Sequence, residues 1–153
     1  MKFSHILILI SLTVALFYVD AFSAGHIMLG ADEIKWTDAA SLPGAKITVL
    51  EGDPAKTGPV TIRLMLPPNY KLMPHTHPVD ERVTVLSGAL YMGLGDKLDE
   101  KVAKKYSAGG FFVIAPNTPM YAFTRGEETV IQINVTSGPW GLTYTGERTM
   151  ERK

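Results

Sequence analysis

The chain has 153 residues, 46% hydrophobic and 20% charged, which is typical of one globular domain with a short appendage. Its 15 Lys and Arg balance its 15 Asp and Glu, so the formal net charge is zero. Phosphate binding needs clustered basic side chains, so nucleic acid is not expected as a partner. The chain has no cysteine, which excludes disulfides, thiolate metal ligands and cysteine nucleophiles.

The first 23 residues have the pattern of a secretory signal peptide. Lys2 is the only Lys, Arg, Asp or Glu before an apolar run over residues 6–19, which is shorter than the roughly 20 residues needed to span a membrane. Ala21 and Ser23 follow with the spacing of a cleavage site. The alternative is an uncleaved N-terminal anchor. We predict a periplasmic or secreted protein that leaves the membrane after signal cleavage.

The rest of the chain is predicted to be almost entirely β. Residues 24–44 form a polar lead-in with one possible helical turn, and residues 45–147 form the folded domain. Runs rich in Val, Ile and Thr end at Gly, Pro and Asn turns, which predicts strands over residues 47–50, 60–66, 82–86, 89–94, 111–114, 121–124, 129–135 and 140–145. The charged segment 99–105 is expected to be a helical turn or a solvated loop. Short, closely spaced strands indicate an all-β sandwich or barrel.

The stretch from residue 74 to residue 81, PHTHPVDE, carries the most chemical information. Side chains alternate between faces along a strand, so His75 and His77 would point the same way. Glu81 joins them if the strand continues or bends slightly through Pro78. Two imidazoles and a carboxylate on one face are suitable ligands for a divalent metal. The alternative interpretation is a pair of surface histidines beside a turn.

This stretch resembles the first sequence motif of the cupin superfamily, in which H-x-H is followed by E after three residues and by G after six more. His75, His77, Glu81 and Gly88 match it without a gap. Asn69 stands where the family usually has a glycine, and asparagine is the residue that next best tolerates a positive φ. The resemblance, to small single-domain bacterial cupins, covers about residues 45–145. It implies an all-β fold with a single double-stranded β-helix (jelly-roll) barrel, and a homodimer.

The second cupin motif is matched less well. Its proline is displaced by one position to Pro116, and Asn117 again stands for a glycine. Cupin enzymes typically bind their metal through three histidines and a glutamate. By the resemblance, the third histidine falls at Met120, or at Tyr121 if the register is shifted by one residue.

The missing histidine leaves two possibilities open. A divalent metal ion could remain on His75, His77 and Glu81 with open coordination positions, an arrangement that suits Fe(II), Mn(II) or Zn(II). Met120 would then be an apolar wall; a thioether ligand that prefers copper(I) is the less favoured variant. Alternatively the metal is lost, and the barrel is a small-molecule binding or sensory module without catalysis.

Arg63, Gln132, Met120 and Tyr121 are the candidate substrate-pocket residues. Arg63 is the only charged residue in its strand, and an inward guanidinium would clamp an anion, whereas an outward one would only be solvated. Gln132 shares a strand face with Asn134, and that face meets either the cavity or water. We therefore expect an exported cupin that binds one divalent metal ion and a small oxygen-rich ligand. Oxygenase, isomerase or decarboxylase chemistry would be compatible with such a centre.

Overall fold

The computed structural model describes residues 25–145, so the predicted signal peptide lies outside the described residues. Over this range the chain forms a 3₁₀ turn at Ala31–Glu33 and eleven strands: β1 Thr37–Asp38, β2 Lys46–Glu51, β3 Val60–Leu66, β4 Lys71–Thr76, β5 Glu81–Ser87, β6 Ala89–Leu94, β7 Lys104–Ser107, β8 Phe111–Ile114, β9 Met120–Phe123, β10 Thr129–Val135 and β11 Thr143–Tyr144. None of the helical structure in this range is long and apolar enough to cross a membrane.

The strands form two antiparallel sheets. The first sheet has six strands in the order β1-β2-β3-β10-β5-β8, and the second has five in the order β11-β4-β9-β6-β7. Strands that are distant in sequence are neighbours in both sheets, as β3 and β10 show. The arrangement confirms the predicted all-β jelly roll, with the hydrophobic core between the sheets.

Alternation of apolar and polar residues determines which side chains of the first sheet enter the core. In β3 the residues Val60, Ile62, Leu64 and Leu66 are buried, whereas the residues between them are only half-buried. The same pattern runs along its neighbour β10. Burying one such apolar side chain stabilises the fold by about 1.5–3 kcal/mol. Arg63 and Gln132, its partner in the ladder between β3 and β10, therefore lie on the outer face.

The second sheet contains an irregularity that bears directly on the candidate site. The ladder between β4 and β9 shifts register between Leu72 and His75. Both residues are buried and line the same cavity although they are three positions apart. Strict alternation would have placed them on opposite faces, so the bulge turns His75 inward.

Several features depart from the sequence predictions. The strand expected over residues 140–145 is reduced to Thr143–Tyr144, because the amides of Gly138 and Trp140 donate to loop carbonyls rather than to a ladder. Strand β4 was not among the predicted strands.

Strand β7 begins at Lys104, inside the charged segment that was expected to be a turn or loop. It forms one edge of the five-stranded sheet, where solvated lysine side chains remove the apolar alternation that identifies a strand. Ala39 and Leu42, in the polar lead-in, are buried in the main core.

The two asparagines that replace motif glycines both adopt positive φ angles. Asn69 has φ 58° and Asn117 has φ 57°, which confirms the interpretation of these positions. We expect Asn69→Ala to be destabilising, because a left-handed conformation costs a residue with a simple Cβ about 1–2 kcal/mol. Asn69→Gly should have the stability of the wild type or better. Urea unfolding of the two variants measures the difference, and equal stabilities would contradict the assignment.

Candidate metal centre

A small cavity of about 30 Å³ lies between the two sheets, with room for roughly two water molecules. His75, His77 and Glu81 all line it, and each is at most 5% exposed. The other lining residues are almost all apolar: Leu42, Leu64, Leu66, Leu72, Val83, Leu90, Met92, Phe112, Met120, Ala122, Ile131, Ile133, Trp140 and Leu142. The polar groups therefore lie together in an otherwise apolar space.

The connection between the two sheets brings the three predicted ligands together. His75 is in β4 of the second sheet, His77 follows the end of that strand, and Glu81 is the first residue of β5 in the first sheet. The backbone oxygen of His77 accepts a hydrogen bond from the amide of Asn117, which holds this crossing in place. The site is thus located where the chain passes between sheets.

Each histidine is oriented by a backbone carbonyl. Nδ1 of His75 lies 2.8 Å from the Met73 oxygen, and Nδ1 of His77 lies 2.6 Å from the Gly141 oxygen. A carbonyl oxygen only accepts, so Nδ1 carries the proton in both rings, and a neutral ring then has a lone pair at Nε2. Burial lowers the pKa of each histidine to about 4, so both rings are neutral at pH 7.

Glu81 is held by a residue that the sequence did not identify. Nε1 of Trp140 donates a hydrogen bond of 2.8 Å to Oε1 of Glu81, and the indole stacks on the His77 ring at 5.5 Å between centroids. Burial raises the pKa of Glu81 to about 7, partly opposed by this hydrogen bond. Trp140 lies 59 residues from Glu81 in a segment predicted only as a strand. No local pattern connects the two residues.

The polar end of the cavity holds more hydrogen-bond acceptors than donors. Oε1 of Glu81 lies 3.4 Å from Nε2 of His77, and two lone pairs at this distance repel unless a proton or a cation joins them. Nε2 of His75 is buried and has no hydrogen-bond partner. A buried polar atom without a partner costs about 1–3 kcal/mol, so the group favours a proton donor or a cation.

Met120, rather than Tyr121, faces the cavity at the position of the missing histidine. Met120 pairs with His75 across the ladder between β4 and β9 and is 6% exposed. Tyr121 points to the other side of the sheet, where its ring covers Gly93 and its hydroxyl donates to the Asp99 carbonyl oxygen at 2.9 Å. The alternation of a strand imposes this choice, since adjacent residues face opposite ways.

Arg63 and Gln132 lie away from the cavity. Nε of Arg63 donates a hydrogen bond of 3.0 Å to Oε1 of Gln132, on the outer face of the first sheet. Their inward neighbours Leu64, Ile131 and Ile133 line the cavity instead. The structure therefore places only Met120, of the four candidate pocket residues, beside His75.

The donor set fits a metal ion in its chemistry but is incomplete in its geometry. The orphaned Nε2 of His75 and the lone pair of His77 are of the type that binds metals, with Nδ1 held as in metal-binding histidines. Yet within residues 25–145 no three His, Asp or Glu side chains form a group arranged to hold a metal ion. A metal here would need Glu81 to turn or a further ligand to join the histidines.

Several solved structures have a similar fold. The polyketide cyclase RemF from Streptomyces resistomycificus superposes with a TM-score of 0.63 and 17% identity, over 80% of this chain and 87% of that one. An RmlC-like cupin from Shewanella frigidimarina superposes with a TM-score of 0.59 and 13% identity, over 74% of this chain and 93% of that one. A double-stranded β-helix protein from Klebsiella pneumoniae superposes with a TM-score of 0.58 and 19% identity, over 78% of this chain and 96% of that one. At these identities the likeness is one of fold, and it confirms the cupin-type fold that the resemblance implies.

No curated protein matches the chain. The model of a family described as a domain of unknown function, DUF4437, matches residues 27–150. That range includes both sheets and all residues of the candidate site. The chain therefore belongs to the DUF4437 family.

Proposed function

We propose that this protein binds one metal ion at the polar end of its barrel and a small molecule in the adjoining cavity. The observation that carries the proposal is a buried histidine nitrogen without a partner, beside a second histidine nitrogen that faces a carboxylate oxygen, in an apolar space. His75 Nε2 has no partner, and His77 Nε2 faces a carboxylate oxygen. With Glu81 turned towards the histidines, a cation would satisfy these groups together, whereas His75 Nε2 would otherwise remain unpaired and the contact between Glu81 and His77 would need a proton.

The chain's own residues would prepare the site in three ways. The carbonyl oxygens of Met73 and Gly141 fix the ring orientation and protonation of the two histidines. Glu81 supplies negative charge, and Trp140 restricts its position. When bound, a metal ion would supply a Lewis acid that polarises an oxygen of the ligand. Two imidazoles and a carboxylate suit Fe(II), Mn(II) or Zn(II).

The cavity walls revise the expected class of ligand. We expected an oxygen-rich molecule, but the lining residues with polar side-chain atoms are only His75, His77, Glu81 and Trp140. A polyhydroxylated ligand would leave its other oxygens without partners, which is costly. We therefore propose a small molecule with an apolar body and one oxygen-bearing end. Room beyond 30 Å³ would have to come from flexible side chains such as Met92 and Met120.

A metal-free binding module is the second candidate, and one observation favours it. Glu81 has a pKa raised to about 7, so near neutral pH its protonated form could donate to His77 Nε2 and close the pair without a metal. This candidate leaves His75 Nε2 unsatisfied until a ligand with a hydrogen-bond donor enters.

Metal analysis separates the two candidates. We expect protein loaded with Fe(II), Mn(II) or Zn(II) and then desalted to retain about one metal ion per chain by elemental analysis. His75→Ala and Glu81→Gln should reduce retention, whereas His26→Ala, which alters an exposed histidine outside the cavity, should not. Wild-type protein that retains no metal after loading with any of these ions would favour the metal-free module.

The buried groups also make the stability of the metal-free protein depend on pH. Both histidines have a folded-state pKa of about 4 against 6.5 in the unfolded chain, so they destabilise the fold as pH falls from 6.5 towards 4. Glu81 acts the other way. Its pKa of about 7 exceeds the unfolded value of 4.5, so its contribution is complete below 4.5 and is lost as pH rises through 7.

Two variants test this opposition. Each group contributes a slope of about 1.4 kcal/mol per pH unit between its folded and unfolded pKa values. His75→Asn, which keeps a donor for the Met73 carbonyl, should flatten the loss of stability between pH 6.5 and 4.5. Glu81→Gln should steepen it. Urea unfolding in the presence of a chelator measures both slopes, and slopes equal to that of the wild type would show that these groups are not buried as described.

We further propose that the protein acts outside the cytoplasm, as its first 23 residues suggest. Mass spectrometry of protein recovered from a producing cell should give a mature N-terminus near Ser23. An intact N-terminus on membrane-bound protein would instead support the uncleaved anchor.

A further inference from the structure

We propose that the centre is selective for a soft monovalent cation, Cu(I), because the thioethers of Met120 and Met92 join His75 and His77 as donors. The inference rests on the proposed function, in that a metal binds at this end of the cavity. It changes the expected identity of that metal, for which copper was the less favoured choice.

Met120 is the residue paired with His75, whose Nε2 has no hydrogen-bond partner. It is directly opposite His75 in the ladder between β4 and β9, and the Cβ atoms of such pairs are about 4.5–5.5 Å apart. Both side chains are buried and line the cavity. The residue opposite His75 in the ladder therefore offers a sulfur donor rather than a third imidazole.

Met92 brings a second thioether to the same wall. It is in β6, where it pairs with Ala122 of β9, and it is therefore diagonal to Met120 in the ladder between these two strands. It is 7% exposed and packs with Met120 and Ile114 in a small cluster of its own, separate from the main core. Long side chains in diagonal positions are within reach of each other.

The chemistry of these donors favours copper(I) over the harder divalent ions. Thioethers and imidazoles are soft or intermediate ligands, whereas carboxylates suit harder cations. The carboxylate at this site is already engaged by Trp140, and no group of three His, Asp or Glu within residues 25–145 is arranged for a metal. A single charge also costs less to bury in an apolar cavity than a double charge.

The competing explanation is that both methionines only fill space, as methionine often does in cores. Leucine distinguishes the two, since it keeps nearly the same apolar volume and lacks the sulfur. Met65→Leu is the matched control. Met65 is half-buried on β3 and does not line the cavity.

The experiment measures Cu(I) binding to the purified protein without oxygen, by competition with a chromophoric Cu(I) chelator, and Zn(II) binding in parallel. Met120→Leu should weaken Cu(I) binding by about tenfold or more, the lower end of the loss seen when a residue supporting a metal site is removed. Zn(II) binding should change little, and Met92→Leu should act in the same direction more weakly. Met65→Leu should alter neither metal.

X-ray absorption of the wild-type Cu(I) protein gives a readout that needs no variant, and it should detect sulfur bonded to copper. Absence of sulfur, or equal effects of Met120→Leu on Cu(I) and Zn(II), would overturn the selectivity. If the wild-type protein binds Zn(II) and His75→Ala does not, the proposed function holds even when the copper selectivity is overturned. If wild-type protein binds neither Cu(I) nor any of Fe(II), Mn(II) and Zn(II), both proposals fall together.

Discussion

Three hydrogen-bond acceptors are buried at one end of an apolar cavity, and the properties of the site follow from that constraint. His75, His77 and Glu81 are taken out of water, where every lone pair would be solvated. The carbonyl contacts at Nδ1 use the only proton that each neutral ring carries. Trp140 offers a single donor to the carboxylate. What remains is an excess of lone pairs, which a proton can relieve in part and a cation more fully.

The fold creates this excess through a bulge in the second sheet and through the segment that follows β10. The bulge between Leu72 and His75 turns the first histidine inward out of step with its strand. The segment after β10 then returns over the cavity, where Gly141 accepts from His77 and Trp140 reaches Glu81. His77 and Glu81 are thereby oriented by residues about 60 positions away in the sequence. The site depends on this returning segment as much as on the motif itself.

Met120 lies where the cupin resemblance implies a third histidine, and the barrel accommodates it unchanged. A methionine at position 120 fills the volume beside His75 and preserves the apolar wall. It also offers sulfur where the cupin motif offers nitrogen, and sulfur donors favour softer metal ions than nitrogen donors do. The same jelly roll can therefore hold different chemistry, and the likeness of fold to a polyketide cyclase or an RmlC-like cupin does not assign an activity.

The all-β class, most of the strands and the grouping of His75, His77 and Glu81 could be predicted from the amino-acid sequence. These features depend on local patterns: apolar alternation, turn residues and a motif with fixed spacing. The sequence also indicated the positive φ of Asn69 and Asn117, since few residues tolerate that conformation.

The face of each strand that meets the core became known only from the packing of the two sheets. Alternation shows that two residues share a face but not where that face points, so Arg63 and Gln132 could be placed outside only once the sheets were packed. The register of β9 selected Met120 over Tyr121 for the same reason. The contact between Trp140 and Glu81 required a long-range return of the chain, which no local pattern encodes.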